Sequence, residues 1–373
     1  MATYSSTRTP SPSRTAVDTG TRATVRHLGP NWYAAVMGIS IVASAGATLP
    51  HPVPRPVTVG VWAIAATALA VLLCARAVHW IHHRDQARSH LLDPRVAPFY
   101  GCLSMALLAV GGATLLVGKD VIGERAAIGV DAVLFVAGTL VGLAASTAVP
   151  YLMVARHKIA LDEASPVWLL PVVAPMVSAA QGPALLPHLP QGQWQEAMLL
   201  ASYAMFGISL IATFVMLPLI FGRLVVHGPL PLALTPTLFL VLGPLGQSTT
   251  AVNALADVAP DAISQDYASA FSAFAVVYGV PVMGFALLWL ALALSLVIRA
   301  RRAGMGFAMT WWGFTFPVGT CVTGAAGLAR HTGLDAYSWL ATTLYVFLVA
   351  AVLVAAVNTL RGLFNGKLLA APR

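Results

Sequence analysis

Apolar stretches separated by short polar links recur along the chain from residue 32 to residue 360. A helix needs about 20 mostly apolar residues to cross the hydrocarbon core of a bilayer. Measured against that length, the pattern predicts ten spans, at 32–49, 57–77, 97–117, 131–154, 167–185, 196–221, 234–256, 268–298, 307–329 and 336–360. The eighth is long enough to tilt or protrude, and the fifth is short and interrupted by proline.

The polar links orient these spans. With both termini on one side, seventeen lysines and arginines fall on that side and four (Arg55, Lys119, Arg125 and Arg330) on the other. Acids run the opposite way, five against eight, with Asp120, Asp257, Asp261 and Asp266 among the eight. Cytosolic loops attract basic residues, so both ends are expected in the cytosol. A missed or invented span would scramble the asymmetry, because every later loop would change sides.

Composition agrees. Hydrophobic residues make up 58% of the 373 positions and charged residues 9%, against about 25% charged in ordinary soluble domains. Soluble globular, disordered, collagenous, coiled-coil and nucleic-acid-binding classes are excluded, and the net charge of +8 follows from the loop asymmetry. Cys74, Cys102 and Cys321 each sit in an apolar run without metal or redox spacing. Residues 1–28 are rich in Ser, Thr and Arg, and Pro10, Pro12 and Gly20 break any amphipathic helix. They read as a disordered basic cytosolic tail, followed by a transmembrane domain over 29–365 and a short cytosolic tail over 366–373.

No ionisable residue maps deep inside a span; Asp131, Glu196 and Asp257 map to the outer edge and Arg76 to the inner one. Proton relays usually carry such groups, so their absence weighs against a carboxylate- or histidine-driven symporter. With no H-E-x-x-H, no G-x-S-x-G and no carboxylate pair, the chain is read as a non-enzyme without catalytic residues, cofactor or metal.

Helix breakers and small residues mark the odd spans: Gly38, Ser40, Ser44 and Gly46 in the first, Gly101, Gly111 and Gly112 in the third, Pro171 and Pro175 in the fifth. The seventh has Gly243, Pro244 and Gly246, and the ninth Pro317 and Gly319. A proline inside a helix frees a carbonyl that lipid cannot satisfy, so such spans belong against protein or a water-filled cavity. The arrangement predicted is odd spans inside around a shared axis and even spans outside. Small residues also serve as helix–helix contacts, and Gly138-x-x-x-Gly142 reads that way.

In the ninth span, Trp311-Trp312-Gly313-Phe314-Thr315-Phe316-Pro317-Val318-Gly319 puts an aromatic directly before a helix-breaking proline. Facing an axis, that ring would form a hydrophobic constriction that gates by excluding water. Facing a neighbour, it is an ordinary aromatic in a helix seam, and the motif leaves both open. His79, His82, His83 and His90 lie in a basic run with Arg76, Arg84, Arg88 and Arg95. A cap on anionic lipid fits them better than a metal or pH site, since no cysteine or carboxylate completes a ligand set.

Four stretches resemble the tellurite-resistance/C4-dicarboxylate transporter family, whose members include bacterial TehA-like proteins and fungal malate and sulfite permeases. Plant guard-cell slow anion channels share its superfamily. The stretches are Asn31-Trp32-Tyr33 through Met37-Gly38, Trp168-Leu169-Leu170-Pro171 through Pro175, Leu242-Gly243-Pro244-Leu245-Gly246-Gln247-Ser248, and Trp311-Trp312 through Phe316-Pro317.

The resemblance implies ten helices in five hairpins with quasi-fivefold symmetry, one pore per subunit and a homotrimer. It also implies a phenylalanine plug on the ninth helix, at Phe316 by motif position. The long regulatory tail of the plant channels is missing. The function expected is passage of small inorganic or organic anions across a bacterial-type inner membrane, through a pore gated at Phe316. Gly38, Pro171, Pro175, Gly243, Pro244, Pro317 and Gly319 are its candidate lining or helix-break residues. The alternatives are a proton-coupled carrier of dicarboxylates such as malate, or an exporter of sulfite or tellurite; a membrane scaffold with a vestigial pore is a third reading. No residue identifies the anion.

Overall fold

The computed structural model describes residues 25–366 and 368, and all regular structure within them is helical. The tail predicted over residues 1–28 lies outside this range except for its last four residues, and the tail over 366–373 except for Gly366 and Leu368.

Among the described residues, eight helices are long and apolar enough to cross a membrane. They are α2 (Arg55–His82), α3 (Ala97–Ile122), α4 (Glu124–Ala155), α5 (Pro166–His188), α6 (Gln193–His227), α7 (Leu232–Ala262), α8 (Gln265–Arg302) and α10 (Asp335–Phe364). Two of the predicted spans form shorter helices, α1 (Tyr33–Thr48, 16 residues) and α9 (Phe316–Thr332, 17 residues). Each continues a 3₁₀ turn, Pro30–Trp32 before α1 and Met309–Phe314 before α9. In the ninth span Met309–Phe314 is wound in the tighter 3₁₀ form, whereas in the first only Trp32 is, so that span is short in itself.

Burial separates the helices into two shells. The most apolar windows of α3, α5 and α7 are 83%, 89% and 89% buried, whereas those of α2, α4, α6, α8 and α10 are 22–28% buried. α1 and α9 belong with the first group, with buried residues on every side, among them Val36, Ala43 and Ala45 in α1 and Val318, Val322 and Ala325 in α9. Contacts run α1 to α3, α3 to α5, α5 to α7, α7 to α9, and α9 back to α1, closing a ring. Each even helix lies against the odd helices before and after it, α10 bridging α9 and α1. The odd-inside, even-outside order read from the breakers is the order observed.

Small residues let the ring close. A Cβ on Gly101 of α3 would overlap the Leu170 backbone of α5, and one on Gly246 of α7 would overlap the Thr320–Cys321 backbone of α9. Gly138 and Gly142 of α4 sit against Leu108 and Ser104 of α3, which is the packing reading of that motif. Gly123 (φ 82), Gly192 (φ 87) and Gly333 (φ 68) make the turns from α3, α5 and α9 into their successors, with backbone angles that favour glycine.

Proline placement departs from expectation. Pro171, Pro244 and Pro317 stand in the first turn of their α-helical stretches, which begin at Leu169, Leu242 and Phe316. Within the α-helical stretch alone the missing N–H costs no bond, and Pro171 and Pro244 mark where a preceding 3₁₀ stretch passes into α-helix. Pro175 lies inside its helix. Its missing N–H would have bonded the Pro171 carbonyl, which instead accepts from Ser146 Oγ of α4 at 2.7 Å. One residue on, the Met176 amide donates to Ser209 Oγ of α6 at 3.0 Å, and that hydroxyl donates to the Val172 carbonyl. The break in α5 is thus satisfied by hydroxyls from the outer helices on either side of it.

Candidate functional site

All five ring helices converge on one small void. Met37 of α1, Met105 of α3, Val173 of α5, Gly243 of α7 and Phe316 of α9 line it, and its volume is about 20 Å³. That holds one water molecule at most. Phe316 is the first residue of its α-helix and is 3% exposed. A Cβ built on Gly243 would meet nothing within 4 Å, so this glycine faces the open part of the void. A second void of about 20 Å³ lies toward the end at which the ring helices start, between Met37, Phe99, Leu170, Leu240 and Trp312. The centre of the ring is closed by apolar side chains.

Beyond it, toward the other end of the ring helices, a vestibule of about 370 Å³ opens. Its lining begins at Ser44, Gly112, Ala180, Thr250 and Thr323, each seven residues after the constriction residue of the same helix. Seven residues are two helical turns, so one face of each ring helix passes from the constriction to the vestibule at the same height, about 10 Å apart. The chemistry changes over that distance. Thioether, aliphatic and aromatic groups give way to the hydroxyls of Ser44, Thr48, Thr250 and Thr323 and the amides of Gln181 and Asn253.

These polar groups are tied to the ring. Thr250 and Thr323 share a hydrogen bond of 2.7 Å across the α7–α9 seam, and Asn253 Nδ2 donates to the Thr249 carbonyl at 2.7 Å. Asn253 Oδ1 is buried without a partner.

Charge is confined to the rim, at Lys119, Arg330 and Glu124, with His188 beside them. Lys119 follows a π-helical turn, Thr114–Gly118, whose Thr114 accepts the Trp62 indole N–H at 2.8 Å. Arg330 is held at 2.9 Å by Asp257 Oδ2, while Asp257 Oδ1 lies 3.0 Å from His331 Nε2. The arrangement offers neutral donors inside and cations at the mouth. Among the described residues no group of three or more His, Cys, Asp or Glu could hold a metal ion.

The residues singled out from sequence divide by position. Phe316, Pro317 and Gly243 meet at the central void. Gly38 instead lies against Thr315 and Trp312, and Gly319 against Ile41, both in the α1–α9 seam. Pro171 and Pro175 belong to the joint in α5 bridged by Ser146 and Ser209, and Pro244 to the first turn of the α-helical part of α7.

The polar vestibule residues Thr48, Gln181, Thr250, Asn253 and Thr323 escaped the sequence reading. Only three of the positions two turns beyond the constriction are polar, Ser44, Thr250 and Thr323, so no regular signal marks the set. Asp131 also escaped. It lies near the start of α4, as expected, but is 1% exposed, with Oδ1 against Gly111 of α3 and Oδ2 unpartnered.

At the opposite face, Arg76 is 5% exposed and donates to the Leu28 carbonyl at 2.6 Å and to the Tyr100 hydroxyl at 3.3 Å. His79 stacks on His90 with centroids 5.5 Å apart, and His83 lies 6.1 Å from His79. Part of the basic run is therefore a packed joint between α2, the helix Arg84–Leu92 and the start of α3, while Arg84 and Arg88 remain exposed.

Comparison with known proteins adds to this geometry. The model of the voltage-dependent anion channel family matches residues 27–360. An uncharacterized transporter of Methanocaldococcus jannaschii is 27% identical over 301 residues, covering 80% of this chain and 82% of its own length. A second transporter of that organism is 23% identical, covering 92% of this chain and 97% of its own. A sulfite efflux pump of Trichophyton rubrum is 25% identical over 315 residues, covering 82% of this chain and 83% of its own.

Proposed function

From the premise that the chain belongs to the voltage-dependent anion channel family, we propose that it conducts small anions along the axis of the α1–α3–α5–α7–α9 ring, with Phe316 as the gate. Membership in that family, together with helices long and apolar enough to span, makes it a multi-pass membrane protein whose family function is anion transport.

One observation carries the finer reading: every ring helix contributes one residue to the occluded void and another, seven positions on, to the polar vestibule. A cavity placed that way is coaxial with the ring and stops at a hydrophobic constriction. Such a constriction resists a hydrated anion until it widens. The hydroxyls and amides above it replace part of the lost hydration, and the rim cations raise the local anion concentration. Weak neutral donors favour passage over tight retention, so discrimination follows dehydration cost rather than shape.

In this reading all ten helices span the bilayer, α1 and α9 with the help of their 3₁₀ turns. The chain forms five hairpins with quasi-fivefold symmetry and assembles as a homotrimer with one pore per subunit. The seventeen-to-four basic asymmetry supports both termini in the cytosol of a bacterial-type inner membrane, with the vestibule facing outward. It is transport rather than catalysis, with no cofactor required.

A second reading has its own observation. Asp131 is a buried carboxylate with an unpartnered oxygen at the α3–α4 seam, and buried carboxylates serve proton coupling in carriers. Together with relatives named as sulfite efflux pumps, it supports a proton-coupled carrier of sulfite or dicarboxylate anions.

Flux in proteoliposomes separates the two. A channel passes chloride, nitrate and malate without regard to an imposed pH gradient, and Asp131→Asn leaves that flux unchanged. Saturable, gradient-driven uptake of a single anion, abolished by Asp131→Asn, replaces the channel with the carrier.

A further inference from the structure

A cavity of about 460 Å³ lies off the axis, at the face where the ring helices start. It lies between the link preceding α3, the link from α4 to α5, the end of α6 and the start of α7. Neither α1 nor α9 lines it, so it is distinct from the axial path; Phe99 alone is shared with the void beneath the constriction. Its walls are mostly apolar, from Phe99, Val167, Trp168, Leu230 and Leu234.

One cation is fixed at its edge. Arg223 donates through Nε to the Asp162 carbonyl at 2.8 Å and through Nη1 to the Gly228 carbonyl at 2.5 Å. Both partners are neutral, and none of the ion pairs among the described residues includes Arg223. Its Nη2 edge makes no hydrogen bond within the described protein. Arg95 also lines the cavity, but it faces Glu163 at 3.6 Å and is 84% exposed.

We propose that this cavity is a binding site for an amphipathic monoanion, an acyl or aryl carboxylate, whose apolar body fills the pocket and whose carboxylate is held by Arg223. The volume falls within the range of about 300–1,000 Å³ typical of small-molecule sites. Apolar walls exclude an inorganic anion, which would lose its hydration without replacement. The one guanidinium edge left without a hydrogen bond matches one negative charge, and the acids Asp162 and Glu163 at the rim oppose a second. A guanidinium already oriented by two carbonyls loses little further entropy on binding a carboxylate.

The test is equilibrium dialysis of radiolabelled decanoate against the full chain in nanodiscs, with decanol as the uncharged comparator. The expected result is one saturable site per chain that decanol does not compete for at equal concentration. Arg223→Gln should weaken it by about tenfold or more, the loss of a charge-assisted hydrogen bond. Ile159→Trp, which adds bulk at a lining residue that makes no hydrogen bond to Arg223, should weaken it comparably. Arg156→Gln, an exposed arginine outside the cavity, should leave it unchanged. Thermal unfolding identifies the variants that fold, and Ile159→Trp decides alone if Arg223→Gln does not. The proposal is overturned by non-saturable uptake, by equal competition from decanol, or by binding that survives Ile159→Trp.

Discussion

Thr315 lies against the bare Cα of Gly38, so close that a Cβ at residue 38 would overlap the Thr315 hydroxyl and come within 3.0 Å of the Trp312 ring. Thr315 is where the chain leaves its 3₁₀ turn, at φ −97 and ψ −82, and the next residue is Phe316. The direction of the constricting ring therefore depends on a side chain that is missing from the neighbouring helix.

Gly38→Ala should push Thr315 away and tilt the start of α9. Overpacking of this kind costs about 1–3 kcal/mol, read as a lower unfolding temperature in detergent, and anion flux should rise above native. Gly60→Ala on α2, where a Cβ meets nothing within 4 Å, should change neither quantity.

The joint in α5 makes a second expectation. Ser146→Ala leaves the Pro171 carbonyl without its donor, and Ser209→Ala strands both the Met176 amide and the Val172 carbonyl. A buried group left unpaired costs about 1–3 kcal/mol. Ser209→Ala should therefore destabilise more than Ser146→Ala in chemical unfolding, with the order reversed only if the joint relaxes around the gap.

The joint also shows what the sequence could and could not disclose. Pro175 announced a broken helix, and the rule that lipid cannot satisfy a freed carbonyl placed α5 inside the ring. Which groups would satisfy it was hidden, because Ser146 and Ser209 lie on helices far apart in the chain and look like ordinary span residues. Phe316 stood out as an aromatic directly before a helix-breaking proline, while its place at a void shared by five helices has no signature in the motif. The vestibule was missed for a related reason: scattered hydroxyls and amides such as Thr48, Gln181, Thr250 and Thr323 carry no pattern until the five helices are aligned. Asp131 and Arg76 read as edge charges because position along a helix is visible in sequence and rotation toward a neighbour is not.

The vestibule rim predicts a salt-dependent flux. Lys119→Gln combined with Arg330→Gln removes two cations at the mouth, and anion flux at about 10 mM salt should fall several-fold. Near 1 M salt, where the Debye length is about 3 Å rather than about 30 Å, the difference from native should disappear. An equal loss at both salt concentrations would mean a structural rather than an electrostatic role.

His90 gives a pH dependence of known sign. Its burial, aided by the charges of Arg76 and His79, pushes its pKa from 6.5 down to about 4, with Asp93 opposing. The folded state thus keeps the ring neutral where the unfolded chain takes up a proton. The contribution is fully present above pH 6.5 and is lost as pH falls toward 4. Amide protection factors across Arg84–Leu92 should be lower at pH 5 than at pH 7. His90→Phe, which keeps an aromatic stack, should flatten the difference.

The central claim is that Phe316 closes an anion path along the ring axis, and one comparison tests it most directly. Anion flux through proteoliposomes should be measured for the native chain, Phe316→Ala and Phe314→Ala. Phe314 is an aromatic two residues away whose ring meets Phe239 edge-on at 4.8 Å in the α7–α9 seam. The account predicts flux far above native in Phe316→Ala and near-native flux in Phe314→Ala, though that variant should unfold more easily. Folded Phe316→Ala protein with flux no higher than native, or equal rises in both variants, would contradict it.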